Sequence, residues 1–180
     1  MAHEFSTSYL KDSIVIFHNC KTVAERAMEQ VTDEQLVIVL DSEMNSIALI
    51  VKHMAGNMRS RWVDFLTSDG EKPDRKRDTE FEEPPRSRAE LMKMWQNGWD
   101  CVFNAIAPLS DSDLNRTITI RGEAHSVMQA INRQMAHYSY HCGQIVFLAK
   151  HLQSNQWKSL SVPRGKSEEV NQKFAESQRR

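Results

Sequence analysis

Two histidines four residues apart, His137 and His141 in the stretch MAHYSYHCGQIVFL from Met135 to Leu148, are the residues of this chain best placed to act together chemically. In a helix that spacing leaves them roughly 40° apart in azimuth and one turn apart along the axis, so both imidazoles can reach one metal ion. They share a side of the helix with Val127, Ala130, Ile131, Ile145 and Leu148, the apolar side that faces inward. Each imidazole carries a donor and an acceptor, so a pair on a buried face needs partners for both. Seven histidines in 180 residues produce such a spacing by chance often enough that position, not spacing, carries the argument.

Two ligands hold a metal weakly, and a third must come from a facing helix. His53 is the first candidate. It stands beside the apolar stripe of a second long helix, roughly 60° outside its edge, where a residue points along a seam between helices. The same position also suits an ordinary surface histidine. His125 and His151 are alternatives, but each lies too far along the chain from the pair to share its ion. Three neutral imidazoles with one open position make a site of zinc or nickel type, with a water or thiolate in that position. Asn57, Gln134 and Gln144 lie within a turn of these histidines and are candidates for the hydrogen bonds that orient them. HExxH and ExxH are both absent, which argues against a zincin-type glutamate and a ferritin-like di-iron centre. Cys142 adjoins His141 but sits roughly 100° round the helix and reads as buried packing, not a nucleophile. No Gly-rich phosphate loop and no GxSxG occur.

The elements that must position these residues read as four long helices. The first spans about His3 to Val31, with Phe5, Tyr9, Ile16, Val23, Ala27 and Val31 as its apolar stripe and His18 and Cys20 within it. Thr32 to Asn45 reads as a connection, extended over Leu36–Leu40 and turning at Asp41-Ser42. Ser42 or Asn45 caps the second helix, about Glu43 to Thr67, whose stripe is Ile47, Ile50, Val51, Met54, Met58, Trp62 and Phe65. Residues 68–88 carry both charge signs, three prolines and no apolar period; they form a loop, either a solvated connection or a lid over a cleft. Ser87 and Glu90 make a capping box for the third helix, which runs to about Ala107 and stops at Pro108, with Leu91, Met94, Trp95, Trp99, Val102 and Ile106 inward. A second connection, Ser110 to Gly122, is extended over Thr117–Arg121, and the fourth helix covers about Glu123 to Gln153. From about Ser154 the tail is polar and packs only through Trp157, Leu160 and Val162.

A chain of 180 residues fits one domain, 1–180, and its 40% hydrophobic and 26% charged residues are those of a globular protein. With 23 basic against 24 acidic residues it has no electrostatic footprint for nucleic acid. Cys20, Cys101 and Cys142 are too few for a disulfide framework, and the N-terminus lacks the pattern of a secretory signal, so a reducing, cytoplasmic setting is expected. The apolar runs Ile14–Phe17, Leu36–Leu40 and Ile47–Val51 are too short to span a bilayer, so no membrane partner is expected.

SIALIVKHMAGNMRSRWVDFLTSDGEK, followed about eighty residues later by QMAHYSYHCGQIVFLAKHL and then SVPRGKSEE, resembles the DinB/YfiT superfamily over nearly the whole chain, and in particular a branch labelled a domain of unknown function. The resemblance implies an all-α fold, a four-helix bundle with long crossover connections, usually a homodimer, holding a divalent ion on three histidines. The family's ligand on the second helix matches His53, and its closing pair matches His137 and His141. Characterised members include thiol-dependent transferases and isomerases that use bacillithiol, mycothiol or glutathione. The expected function is therefore a metal-dependent S-transferase acting on a small molecule with a low-molecular-weight thiol. The alternatives are a metal-assisted hydrolase, or a non-enzymatic, stress-associated bundle in which the metal is structural or absent.

Overall fold

The computed structural model describes residues 5–177. In chain order the elements are α1 (Phe5–Met28), α2 (Asp33–Leu36), α3 (Ile47–Trp62), α4 (Arg88–Ile106), the hairpin β1 (Thr117–Ile120) and β2 (Glu123–Ser126), α5 (Val127–Gln153) and α6 (Ser167–Ser177). The chain is mostly helical. α3 lies along α4 and α1 along α5, while α3 also meets α5 and α1 meets α4, so the four long helices share one core. Phe17, Trp62, Trp99 and Tyr138, one from each of these helices, stack edge to face at its centre. Among the described residues no helix is long and apolar enough to cross a membrane.

The expected positions Ala27 and Val31 are buried, but earlier in α1 a neighbouring row turns inward. Phe17 is inaccessible whereas Ile16 is 40% exposed, and the inward set is Leu10, Ser13, Phe17, Ala24, Ala27, Met28 and Val31. Two heptad rows run side by side here, Tyr9/Ile16/Val23 and Leu10/Phe17/Ala24, and the second takes the core, where Phe17 packs on Trp62 and Trp99. The expected start at His3 lies outside the described residues. The apolar run Leu36–Leu40 is not extended: Thr32 and Gln35 form a capping box for the short α2, Leu36 is buried, and Val37 to Leu40 face outward.

α3 starts four residues later and ends five residues earlier than its expected span of Glu43 to Thr67. Ser46, not Ser42 or Asn45, is the cap, its hydroxyl accepting from the Leu49 N–H at 3.3 Å. Beyond Trp62 the backbone turns through Asp64, at φ 49°, so Phe65 reaches the core from outside the helix. Ser87 caps α4 as expected, but the Glu90 carboxylate accepts from the Arg86 N–H and leaves the box half made.

The all-α expectation misses the hairpin. Glu123–Ser126 pairs antiparallel with Thr117–Ile120 instead of opening the last helix. Arg121 and Gly122, both at positive φ (57° and 77°), form the two-residue turn that matches strand twist. Ser126 and Gln129 then form a capping box that starts α5. In the tail, Trp157 and Leu160 pack on the core, Val162 is exposed, and an additional helix, α6, forms with no buried side chain.

Candidate metal centre

His53 comes from the middle of α3, and His137 and His141 from successive turns of α5, where the two helices face each other. Their Nε2 atoms converge: His141 Nε2 is 3.0 Å and His53 Nε2 is 3.4 Å from His137 Nε2. Among the described residues these three form the group of potential ligands whose donor atoms all lie within 4.8 Å of one another.

Proton placement, assigned from the hydrogen-bond network, gives the convergence its meaning. His53 Nδ1 is 2.8 Å from Glu80 Oε2, which only accepts, so a proton sits on Nδ1 and the neutral form of the ring presents its lone pair at Nε2. His141 Nδ1 is 2.8 Å from Gln144 Oε1, and the Gln144 amide nitrogen donates to the Tyr140 hydroxyl at 3.1 Å. His141 Nε2 therefore also presents a lone pair. Both face His137 Nε2, whose single possible proton can satisfy only one of them. A cation satisfies all three. Three nitrogens about 2.0–2.1 Å from one tetrahedral ion stand about 3.3 Å apart, and the two observed separations lie on either side of that value. The residues fit a zinc or nickel type ion.

Burial, then the neighbouring imidazoles and the charges of Arg61 and Arg75, push His137 down to about 3. Burial also lowers His141, against the pull of its bond to Gln144. Both are neutral at pH 7, the form in which imidazole binds metal. Behind His53, burial works to raise Glu80, but hydrogen bonds from His53 and Arg75 and the Arg75 charge hold it below the usual carboxylate range. Arg75 grips the two Glu80 oxygens through Nε and Nη2 at 2.8 Å each. Room for that carboxylate comes from Gly56 on α3, where an added Cβ would stand only 2.8 Å from Glu80 Cδ. Phe81 stacks on the His53 ring with centroids 4.7 Å apart.

Of the three expected orienting residues, only Gln144 bonds a histidine. Asn57 accepts instead from the Tyr138 hydroxyl at 3.3 Å, and that hydroxyl accepts from Trp62 Nε1 at 3.0 Å. Gln134 lines the cleft above the site, and its buried Oε1 has no partner among the described residues. His125 lies on β2 and His151 is exposed at the end of α5; neither joins the cluster. His18 stacks on Phe103. Cys142 is buried, its thiol held high by its contact with Cys20 and by burial.

Glu80 and Arg75 were not legible in the sequence. They belong to the charge-rich 68–88 segment, where no period separates a buried acid from its solvated neighbours. One signal was available: Phe81 is the single non-proline apolar residue between Leu66 and Ala89, and it marks where the loop is anchored. The loop is more than a bare solvated connection. It folds back on α3 through the 3-10 turn Asp78–Phe81 and walls one side of a cleft of about 630 Å³ that opens over the three rings.

No curated protein matches the chain. A family model described as "Protein of unknown function (DUF1572)" matches residues 4–166. That stretch holds the three histidines, Glu80 and every residue lining the cleft, and the chain belongs to this family.

Proposed function

We propose that the chain is a divalent-metal-dependent enzyme with the four-helix bundle of the DinB/YfiT superfamily, its ion held by His53, His137 and His141. The observation that carries this reading is the pair of lone pairs, fixed by Glu80 and Gln144, that oppose His137 Nε2 with no proton to satisfy both. When bound, such an ion supplies Lewis acidity that holds a thiol or water ionised at neutral pH. The chain's own residues orient and dry the centre. Glu80 keeps the His53 proton on Nδ1, Gln144 does the same for His141, and Phe81 covers the His53 ring on the loop side.

Transfer to a low-molecular-weight thiol is favoured over hydrolysis by one feature. Among the described residues the cleft lining contains no Asp or Glu placed to take further protons from a metal-bound water or to pass them to a leaving group. A thiol needs less help, because its ordinary pKa is only about 8.5.

Metal analysis of the purified protein should find about one zinc or nickel type ion per chain, and His137→Ala should lose most of it. Full occupancy in that variant would sink the assignment. Turnover of an electrophile that requires added thiol supports the transferase; turnover that ignores thiol supports the hydrolase.

A further inference from the structure

Five arginines line the cleft, Arg61, Arg75, Arg77, Arg121 and Arg133. The chain as a whole carries a formal charge of −1, so the positive charge is concentrated here and does not follow from composition. Three of the five are tied to acids behind the wall. Arg61 and Arg121 pair with Glu71, while Arg75 pairs with Glu80 and Glu71. With Asp69, which accepts from the Arg121 and Gly122 N–H groups, three carboxylates balance these three guanidinium groups, so the excess positive charge of the cleft rests on the other two arginines. Arg61, 6% exposed, also keeps a buried Nε that has no hydrogen-bond partner among the described residues.

The other two are uncommitted. Arg133 has no ion-pair partner among the described residues. The acid paired with Arg77 is Asp78, 3.9 Å away with its side chain 97% exposed, which is a weak hold in water. Their positions matter more than their number. Arg133 precedes His137 by one turn of α5 and so lies on the same flank of that helix. Arg77 stands on the opposite, loop wall. Its guanidinium carbon lies 5.2 Å over the Phe81 ring, which in turn stacks on His53. One guanidinium without a strong ion pair on each wall, above the three histidines, is an arrangement for gripping an oxyanion, since the planar fork of arginine bonds carboxylate and phosphate in pairs. Concentrating one sign of charge in a concave site also draws in ligands of the other.

We propose that the substrate of this cleft is an anion whose carboxylate or phosphate group is held by Arg77 and Arg133 over the three histidines. The assignment names a substrate class for the enzyme proposed above and rests on that reading for the chemistry that follows capture. Capture itself needs only the arginines, which makes the two separable by experiment.

The protein is stripped of metal and then dialysed free of chelator, since a polycarboxylate chelator is itself an anion of the expected kind. Succinate, inorganic phosphate and the neutral isostere succinamide are titrated calorimetrically into wild type, Arg77→Gln, Arg133→Gln and the double variant. Succinate or phosphate should bind wild type and succinamide should not. Each single substitution should weaken binding about tenfold or more, the scale of one charge-assisted hydrogen bond. Zinc uptake, measured in parallel, should be unchanged by either substitution, because neither residue is a ligand. Anion binding that survives in the double variant, or that the neutral amide shares, overturns the proposal. So does anion binding that requires zinc and ignores the arginines. If zinc fails to bind wild type while arginine-dependent anion binding stands, the metal reading has failed and this one has not.

Discussion

At His53 one proton decides which nitrogen faces the other two histidines, and the Glu80 carboxylate decides where that proton sits. Glu80 can do so only because α3 has no side chain at Gly56, where the carboxylate lies against the helix. Gly56→Ala therefore tests the orienting role without replacing a ligand or a charged residue, although the carboxylate it displaces also pairs with Arg75. The added methyl should help the helix itself by up to about 1 kcal/mol, so loss of fold is not expected. It would overlap the carboxylate and force it away from the His53 ring. Zinc affinity should fall between about tenfold and a hundredfold, the usual effect of losing the partner that orients a histidine ligand. The measurement is competition against a zinc-binding dye. Affinity equal to wild type would mean that Glu80 does not orient the site.

Among the elements, α3 matters most, because it carries His53 and packs against α4 and α5 at once. Its contact with α4 is close at Gly98, where a Cβ would meet Ala55 Cα and Met58 Sδ at 3.0 Å. Met58 can swing aside, but the Ala55 backbone cannot. Gly98→Ala should therefore destabilise the protein by about 1–2 kcal/mol, overpacking outweighing the gain in helix propensity. Gly143 is the matched control: it lies in α5 with open space around it, so Gly143→Ala should stabilise by about 0.5–1 kcal/mol. Denaturant unfolding of both variants checks the pair, and equal effects at the two positions would contradict the close approach. The elements legible in the sequence were those whose apolar period is continuous. The stripe from Ile47 to Trp62 is buried as read, and so is that from Leu91 to Ile106 except Met94, in whose place Met92 packs on the core. Where two rows of similar hydropathy run side by side, as at Ile16 and Phe17, period alone cannot choose between them, and packing does. At Glu123–Ser126 the residues carry no apolar alternation; their strand exists because Thr117–Ile120 offers a β-branched partner across a tight turn. The three histidines could be read because they sit on regular helices. Glu80 and Arg75 could not, because a loop has no period to betray which of its charges turns inward.

For the molecule as a whole, the question is whether the ion builds the fold or is built for by it. Trp95, Trp99, Tyr138, Phe17, Met54, Met58 and Ile131 are fully buried across all four long helices, and this core stands beside the histidines without depending on them. His53→Ala leaves no orphaned charge either, since Glu80 keeps both of its bonds to Arg75. The cost should be limited to a small cavity and one hydrogen bond, about 1–3 kcal/mol, which a core of this size tolerates. Circular dichroism should then show near wild-type helical content and a single cooperative melt for His53→Ala and for chelated wild type. Zinc should raise the melting temperature of wild type, because it binds the folded state, and should do little to the variant. A scaffold ion predicts the reverse, with both metal-free forms losing their helices as small metal-dependent domains do. If both are unfolded, the histidines hold the helices together and the open, catalytic centre proposed above is the wrong picture.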